Sequence, residues 1–197
     1  MKRQIVLASG NPGKLKELSA LLREIDREVL PQSRFGLKTP EEIGLTFVEN
    51  AILKARYVAE QTGLPAIADD SGIEVDALQG RPGIRSARYA GENASDEENL
   101  KKLLKEMEAV ADTDRQCRFH CVIVYLRFAR DPIPIICHGV WEGHLLREPV
   151  GEQGFGYDPI FYVPAYGCSS AELQPEVKNR ISHRGQALRE LVKKLDE

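Results

Sequence analysis

The chain has 197 residues, of which 42% are hydrophobic and 29% are charged, and its formal net charge is −3. This length and composition are typical of a globular protein with one large domain or two small lobes. The negative charge argues against a protein that wraps duplex nucleic acid. It does not argue against a small anionic substrate, because a few basic groups can act locally.

The apolar runs do not indicate a membrane protein, and the cysteines do not indicate a zinc site. No run reaches about 20 apolar residues, and the first apolar stretch is too short for a secretory signal, so we expect a cytoplasmic protein. Cys117, His120 and Cys121 fall in a strand-like run whose alternate residues face opposite sides, so they do not converge on a metal ion. We interpret the four cysteines as reduced core residues: Cys117, Cys121, Cys137 and Cys168.

The beginning of the chain predicts an anion site. A compact apolar strand over residues 4–8 and a helix over 15–25 are joined by a glycine-bearing turn. In this order the amides of the turn and the helix N-terminus face one point, and Lys14 adds a full positive charge there. The turn is not a Walker A loop, because Ala8 and Leu15 occupy positions that the motif reserves for Gly and for Ser or Thr.

The next segment predicts a strand with a loop over 28–36 and a helix that begins at Thr46. Thr46 and Glu49 fit a capping box, and Gly63 is suited to end the helix. Lys54 lies opposite the apolar stripe of this helix, where a lysine is most often a solvated surface residue.

Acidic residues are paired at two places. Glu41 and Glu42 lie in a loop, and Asp69 and Asp70 follow a short apolar run over 66–68 that we interpret as the end of a strand. Adjacent acids before a serine and a glycine are typical of a metal site and equally of a turn. Carboxylates from different segments can bind Mg²⁺, which takes one or two carboxylates together with substrate phosphates.

The second half of the chain carries groups suited to a nucleobase. Phe155 lies between two glycines and can expose its ring for stacking, while His183 and Arg184 can donate to a base carbonyl. A cationic pair in the first turn of a helix opposes the helix dipole, which often marks a site. The elements predicted around these groups are a helix after Ser95 to about residue 111, an antiparallel hairpin over 117–128 and 133–142, a short strand over 160–163, a short helix from Pro175 and a last helix capped by Ser182.

Together these features predict a nucleoside triphosphate site with a metal. Four stretches then resemble the signatures of the inosine triphosphate pyrophosphatase family and most of all its bacterial branch, the dITP/XTP pyrophosphatases: LASGNPGK, ADDSGIEVDALQGRPGIRSARYAG, GFGYDPIF and ISHRGQAL. The similarity runs from Ile5 to about Leu195 in the order of the family. It implies hydrolysis of dITP, ITP and XTP to the monophosphate and pyrophosphate, which keeps these nucleotides out of DNA and RNA.

The resemblance also implies an architecture. We expect an elongated α/β fold, with a long mixed sheet and flanking helices, in which an active-site cleft separates two lobes of a single domain over residues 1–197. Members of the family are usually homodimers. We therefore expect two binding partners, the nucleoside triphosphate substrate and a second copy of the chain. We expect no binding to nucleic acid or to a membrane.

The same resemblance implies roles for individual residues. Asp70 is expected to bind Mg²⁺ and to accept the proton of the attacking water, and Glu41 to share the metal, with the adjacent Glu42 as the alternative. Asp69, Lys14 and Lys54 complete the catalytic set. The substrate-binding residues expected are Ser9, Gly10, Asn11, Pro12, Gly13, Lys14, Ser71, Phe155, Gly156, Tyr157, Asp158, Lys178, His183 and Arg184.

Base selection follows from the hydrogen-bonding groups of the purine. Donors from His183 or Arg184 suit the oxygen at position 6 of hypoxanthine and oppose the amino group of adenine. A second donor, from Lys178 or a backbone amide over 155–158, would oppose the amino group of guanine. Two other functions remain open: a non-catalytic nucleotide sensor, which needs no acids from two segments, and a pyrophosphatase for modified pyrimidine triphosphates, which needs another base site.

Overall fold

The computed structural model describes residues 3–196, and contacts divide the chain into two compact units. The first unit contains the residues up to Asp70, Cys121–His138 and the residues from Gln186, and the second contains Ser71–His120 and Gly139–Gly185. The strands are β1 (Arg3–Leu7), β2 (Arg27–Pro31), β3 (Ala66–Val75), β4 (Gln116–Leu126), β5 (Ile135–Leu145), β6 (Phe161–Val163) and β7 (Cys168–Ser169). The helices are α1 (Pro12–Arg23), α2 (Phe47–Thr62), α3 (Asp96–Glu106), α4 (Pro175–Ile181) and α5 (His183–Asp196). Within this described part, no helix has the length and apolarity that crossing a bilayer requires.

The strands form one mixed sheet in the order β2-β1-β3-β4-β5-β6-β7. The strand β1 pairs in parallel with β2 and β3, and β6 pairs antiparallel with β5 and β7. The neighbours β4 and β5 are joined by a short connection, and Leu145 N donates to Arg115 O across their far ends at 2.9 Å. The hairpin is therefore antiparallel, and the predicted α/β fold with a mixed sheet and flanking helices is confirmed.

The first unit buries both faces of its sheet. One face carries Ile5 and Ile67 and packs against α1 and α5, and the opposite face carries Val6 and Ala68 and packs against α2. This is the alternation that a strand imposes when both of its sides are covered. The helices contribute Leu22 of α1 and several other apolar side chains: Leu18, Leu188 and Leu191 on the first face, and Ala51, Ala55 and Val58 on the other.

The second unit has a core of its own, made by α3 and by the aromatic side chains of the sheet. Phe119, Trp141 and Phe161 meet there, with ring centroids of Phe119 and Phe161 4.7 Å apart. Cys117 lies in this core, whereas Cys121 and Cys137 lie in the first unit. All four cysteines are free thiols, and burial raises the pKa of Cys137 to about 11, which keeps its thiol protonated at neutral pH.

The helix signals in the sequence are largely confirmed. Both capping boxes are present, at Thr46 and Ser95, and Gly63 ends α2 with a left-handed φ of 68°. The first helix begins earlier than predicted, at Pro12, because the Asn11 side chain caps it and proline suits the first position. The helix α3 ends at Glu106 rather than near residue 111, and β7 was not predicted, since two residues give no pattern.

Candidate active site

The acids of β3 lie inside a strand and not at its end. The strand runs from Ala66 to Val75, so the predicted end after residue 68 and the turn at Ser71 are wrong. The physical reason is that Ile73 and Val75 are buried in the core of the second unit, and their burial stabilises the continued strand. Alternation then sends Asp69 to the face of α1 and Asp70 to the face of α2.

Asp70 belongs to a buried cluster with a lysine, a glutamate and an asparagine. Lys54 Nζ lies 3.1 Å from Asp70 Oδ1 and 2.6 Å from Glu42 Oε1, and Asn50 Nδ2 lies 3.3 Å from Asp70 Oδ2. The expectation of a solvated lysine is wrong, because Lys54 is only 5% exposed. The stripe of α2 beside it is built from small residues such as Ala51, so the helix packs close to the sheet and covers the neighbouring positions.

The charges of this cluster depend on each other. Burial lowers the pKa of Lys54, but the negative charges of Asp70 and Glu42 outweigh it, so the pKa is raised and the lysine stays cationic. Burial raises the pKa of Asp70 and the charge of Glu42 raises it further, against the attraction of Lys54. Lys54 is thus the cation that offsets part of the repulsion between the two carboxylates.

Those carboxylates fit a divalent cation. The Lys54 ammonium already lies against both Glu42 and Asp70, and oxygen ligands from two segments suit Mg²⁺, which adds water and substrate phosphates as further ligands. Glu41, the ligand first expected, is solvent-exposed in the same loop, so the geometry favours Glu42, its alternative. Among residues 3–196, no group of three or more His, Cys, Asp or Glu side chains is placed to hold a metal ion.

The glycine turn and Asp69 form the other half of the first unit's site. Lys14 Nζ lies 2.7 Å from Asp69 Oδ2, and Asp69 is buried. Two of the amides that were expected to face phosphate, those of Gly13 and Lys14, donate instead to Asn11 Oδ1, at 2.8 and 3.2 Å. Asn11 N donates to Ser9 Oγ at 3.1 Å, while Gly10 and Pro12 are exposed. Lys14 and Ser9 are therefore half-buried in this turn, and two amides of the helix start are capped by Asn11.

In the second unit, Asp158 organises the predicted base-binding residues. It is buried, and its carboxylate accepts from Phe155 N at 2.8 Å, from Ser170 Oγ at 2.8 Å and from Lys178 Nζ. Gly154 has a φ of +83°, and a Cβ there would meet Asp158 Oδ2 at 2.2 Å. Asp158 is therefore placed to hold the loop and Lys178 in position.

The ring of Phe155 is open to contact. It is 59% exposed, and Lys178 Nζ lies 5.6 Å from its centroid. The loop behind it is fixed, because Gly156 N donates to Asp96 Oδ2 at 2.9 Å and the buried Tyr157 hydroxyl donates to Ser86 O at 2.8 Å. A flat aromatic surface beside an ammonium group suits a purine.

The histidine and arginine at the start of α5 differ in their surroundings. The His183 ring stacks on Phe119 with centroids 4.8 Å apart and planes 11° apart, and it lies 6.3 Å from the ring of Trp141. Arg184 is half-buried. Ser182 precedes them and accepts from Gly185 N at 3.2 Å, which agrees with the predicted cap.

The stretch after residue 72 braces the second unit. Ser86 Oγ accepts from Ile73 N at 2.9 Å. The Glu106 carboxylate pairs with Arg81 at 3.2 Å and also accepts a hydrogen bond from the Tyr89 hydroxyl. Sequence reasoning missed Asn50, Ser170 and Asp96 as partners of the site. Only Asn50 left a signal, since it precedes Lys54 by one turn of the same helix.

These features define a mixed α/β protein that combines buried carboxylates on a central strand with a capped glycine turn. The model of the Ham1 family matches residues 5–194, so the chain belongs to the Ham1 family.

Several relatives match over nearly their whole length. A dITP/XTP pyrophosphatase of Vibrio parahaemolyticus is 59% identical over 193 residues, which are 98% of this chain and 96% of that protein. One from Escherichia coli O157:H7 is 58% identical over 190 residues, or 96% of each. A HAM1 protein structure from Coxiella burnetii superposes with a TM-score of 0.94 at 55% identity over 98% of both chains. A nucleoside-triphosphatase, or dITP/XTP pyrophosphatase, from Mycobacterium abscessus gives 0.80 at 39% identity over 95% of this chain and 98% of its own.

Proposed function

We propose that this chain hydrolyses dITP, ITP and XTP to the nucleoside monophosphate and pyrophosphate, and so clears these nucleotides from the cytoplasmic pool. The observation that carries the proposal is the Glu42–Lys54–Asp70 cluster, two carboxylates and a cation on one side of β3. Relatives named dITP/XTP pyrophosphatase, at 58–59% identity, support the substrate class. The active form in the proposal is a homodimer.

Mg²⁺ is the proposed cofactor, with Asp70 and Glu42 as the protein ligands in place of the Glu41 first expected. When bound, the metal polarises the phosphate and lowers the pKa of a water molecule. The remaining chemistry belongs to side chains of the first unit. Lys14 neutralises the triphosphate, while Ser9 and the turn through Gly13 position it.

Asp70 accepts the proton of the water that attacks the α-phosphorus, and pyrophosphate leaves. Its raised pKa suits this role, because a more basic carboxylate takes up a proton more readily, while Lys54 opposes the shift and orients the carboxylate. Asp69 holds Lys14 in place by their ion pair.

The second unit provides the base-reading residues in this proposal. Phe155 stacks on the purine, and Lys178, His183 and Arg184 donate to its oxygen atoms. Adenine would oppose these donors with its amino group at position 6, and an unpaired buried polar group costs about 1–3 kcal/mol. Asp158 keeps Lys178 beside Phe155.

A substrate panel with and without Mg²⁺ tests the function. The chain should release pyrophosphate, and not single phosphate, from dITP, ITP and XTP in the presence of Mg²⁺, and it should act far more slowly on ATP and GTP. Asp70→Asn should stay folded and lose turnover. Nucleotide binding without hydrolysis would indicate a sensor instead, and turnover confined to modified pyrimidine triphosphates would overturn the purine assignment.

The same panel tests base recognition. In Lys178→Ala and Arg184→Ala, the ratio of kcat/KM for ITP to that for GTP or ATP should fall, because a donor that opposes the wrong base has been removed. Lys193→Ala changes an exposed lysine on α5 and is the matched control. Ratios equal to those of the control would exclude both side chains as readers.

A further inference from the structure

Asn50 is a polar side chain without solvent exposure, and it contacts one carboxylate of the cluster, that of Asp70. It is 0% exposed on α2, one turn before Lys54. Its Oδ1 accepts from Gly44 N at 2.8 Å, and its Nδ2 donates to Asp70 Oδ2 at 3.3 Å. One amide group thus spans from the glutamate loop to the acidic strand.

The chemistry of these contacts requires an amide. A backbone N–H can only donate, so the oxygen of Asn50 must face Gly44 and its NH₂ group must face Asp70. An aspartate would place a second carboxylate against Asp70, and a leucine would satisfy neither neighbour. Gly44 is part of the same fit, because a Cβ there would lie 2.7 Å from Asn50 Oδ1 and 2.7 Å from Glu49 Cβ.

The position of this amide links two parts of the candidate metal site. Gly44 follows Glu42 by two residues in one loop, and Asp70 lies on β3. Lys54 contacts Asp70 Oδ1 and Asn50 contacts Asp70 Oδ2, so each carboxylate oxygen has a donor from α2. The orientation of Asp70 and the place of the Glu42 loop are therefore fixed by the same helix.

We infer that Asn50 is a positioning residue for the hydrolysis, which sets the orientation of Asp70 and holds the loop of Glu42 against it. The inference rests on the proposed function and deepens it. Groups that orient metal ligands typically change metal affinity or activity by about 10- to 100-fold when they are removed. No contact of Asn50 with the triphosphate is needed for this role.

Asn50→Leu tests the inference, and Asn99→Leu is its matched control. Asn99 is also a buried asparagine that bridges backbone groups, since it accepts from Ala90 N at 2.7 Å and donates to Ala87 O at 3.1 Å. Both variants should lower the Tm. Only Asn50→Leu should reduce kcat for pyrophosphate release from dITP, by about 10- to 100-fold with a smaller change in KM. It should also weaken Mn²⁺ binding in the absence of nucleotide, measured by electron paramagnetic resonance.

Gly44→Ala keeps the test decisive if Asn50→Leu does not fold. Its methyl group should push the loop away from Asn50 and reduce kcat and Mn²⁺ affinity in the same direction, with little change in Tm. Wild-type kcat and Mn²⁺ affinity in Gly44→Ala, or equal losses in Asn50→Leu and Asn99→Leu, would overturn the inference. Wild-type protein that releases no pyrophosphate from dITP would instead refute the proposed function, and that assay is made first.

Discussion

Two adjacent aspartates have different roles because they lie on opposite faces of one strand. Asp69 faces α1 and pairs with Lys14, whereas Asp70 faces α2 and contacts Lys54 and Asn50. The same alternation places Ile67 and Ala68, the two residues before them, in different cores of the structure. A shift of one residue in this strand would exchange the two carboxylates, so the apolar residues before them fix which acid meets which lysine.

The neighbouring glutamates provide a test at the same scale. Glu42→Gln removes the charge that contacts Lys54, and we expect kcat to fall by about tenfold or more and the Mg²⁺ concentration for half-maximal rate to rise. Glu41→Gln is the control, because Glu41 is exposed in the same loop. Steady-state rates over a Mg²⁺ titration measure both. A larger loss in the control would return the ligand role to Glu41.

The elements of the fold could be predicted where local chemistry determines them. The capping boxes at Thr46 and Ser95 and the stop at Gly63 are local, and all three were predicted correctly. The continuation of β3 through Asp70 depends on burial of Ile73 in a distant core, which no local pattern shows. The burial of Lys54 was missed for the same reason, since it depends on how closely α2 approaches the sheet.

The site was predictable to a similar extent. The motifs identified Lys14, Asp70 and Phe155 as candidates, and the structure shows what surrounds each one. The contact of Asn50 with Gly44 could not be predicted, because it needs the path of the loop between β2 and α2. The choice between two adjacent glutamates likewise depends on backbone direction and not on residue type.

The connection between β4 and β5 is fixed by one carboxylate, which gives a stability prediction. Asp131 is 1% exposed and accepts from Arg127 Nη2 at 2.6 Å, from Arg127 N at 3.0 Å and from Ile133 N at 3.1 Å. Asp131→Asn should therefore lower the free energy of unfolding at pH 7 by about 1–3 kcal/mol. For a chain of this size that corresponds to about 2–4 °C in Tm per kcal/mol.

The pH dependence of that difference follows from the direction of the shift. Hydrogen bonds from Arg127 hold the pKa of Asp131 below its usual value, although burial opposes them. A depressed pKa contributes stability that is present above the unfolded value of about 3.9 and is lost as the pH falls toward the folded value. The Tm difference between wild type and variant should be largest above about pH 4 and shrink toward pH 2. Asp114→Asn, at an exposed aspartate, is the control, and a difference independent of pH would contradict the assignment.

At the scale of the whole molecule, the charges are arranged in balance. The net charge is −3, and many arginines of the second unit are paired with acids. The pairs are Arg81–Glu106, Arg85–Glu92, Arg118–Asp76, Arg118–Glu142 and Arg147–Asp112. Arginines that are each neutralised by a neighbouring carboxylate do not form the continuous positively charged surface that binds nucleic acids.

We therefore expect no appreciable binding of a single-stranded oligonucleotide. Fluorescence anisotropy with a labelled strand at physiological salt should give a dissociation constant weaker than about 100 µM, the weak end of non-specific binding. As a positive control, the Asp70→Asn variant should bind free dITP under the same conditions, which would show that the protein preparation can bind a nucleotide. Tight oligonucleotide binding that weakens as salt is raised would contradict this expectation.

The only tryptophan of the chain gives the protein a built-in optical signal. Trp141 is buried among Phe119 and Phe161, and the ring of His183 lies 6.3 Å from it. Indole emission from the unlabelled protein therefore arises in the second unit alone, beside one of the residues proposed to read the base. The colour and intensity of that emission can follow the second unit during titration or unfolding, while far-ultraviolet circular dichroism follows the backbone of both units.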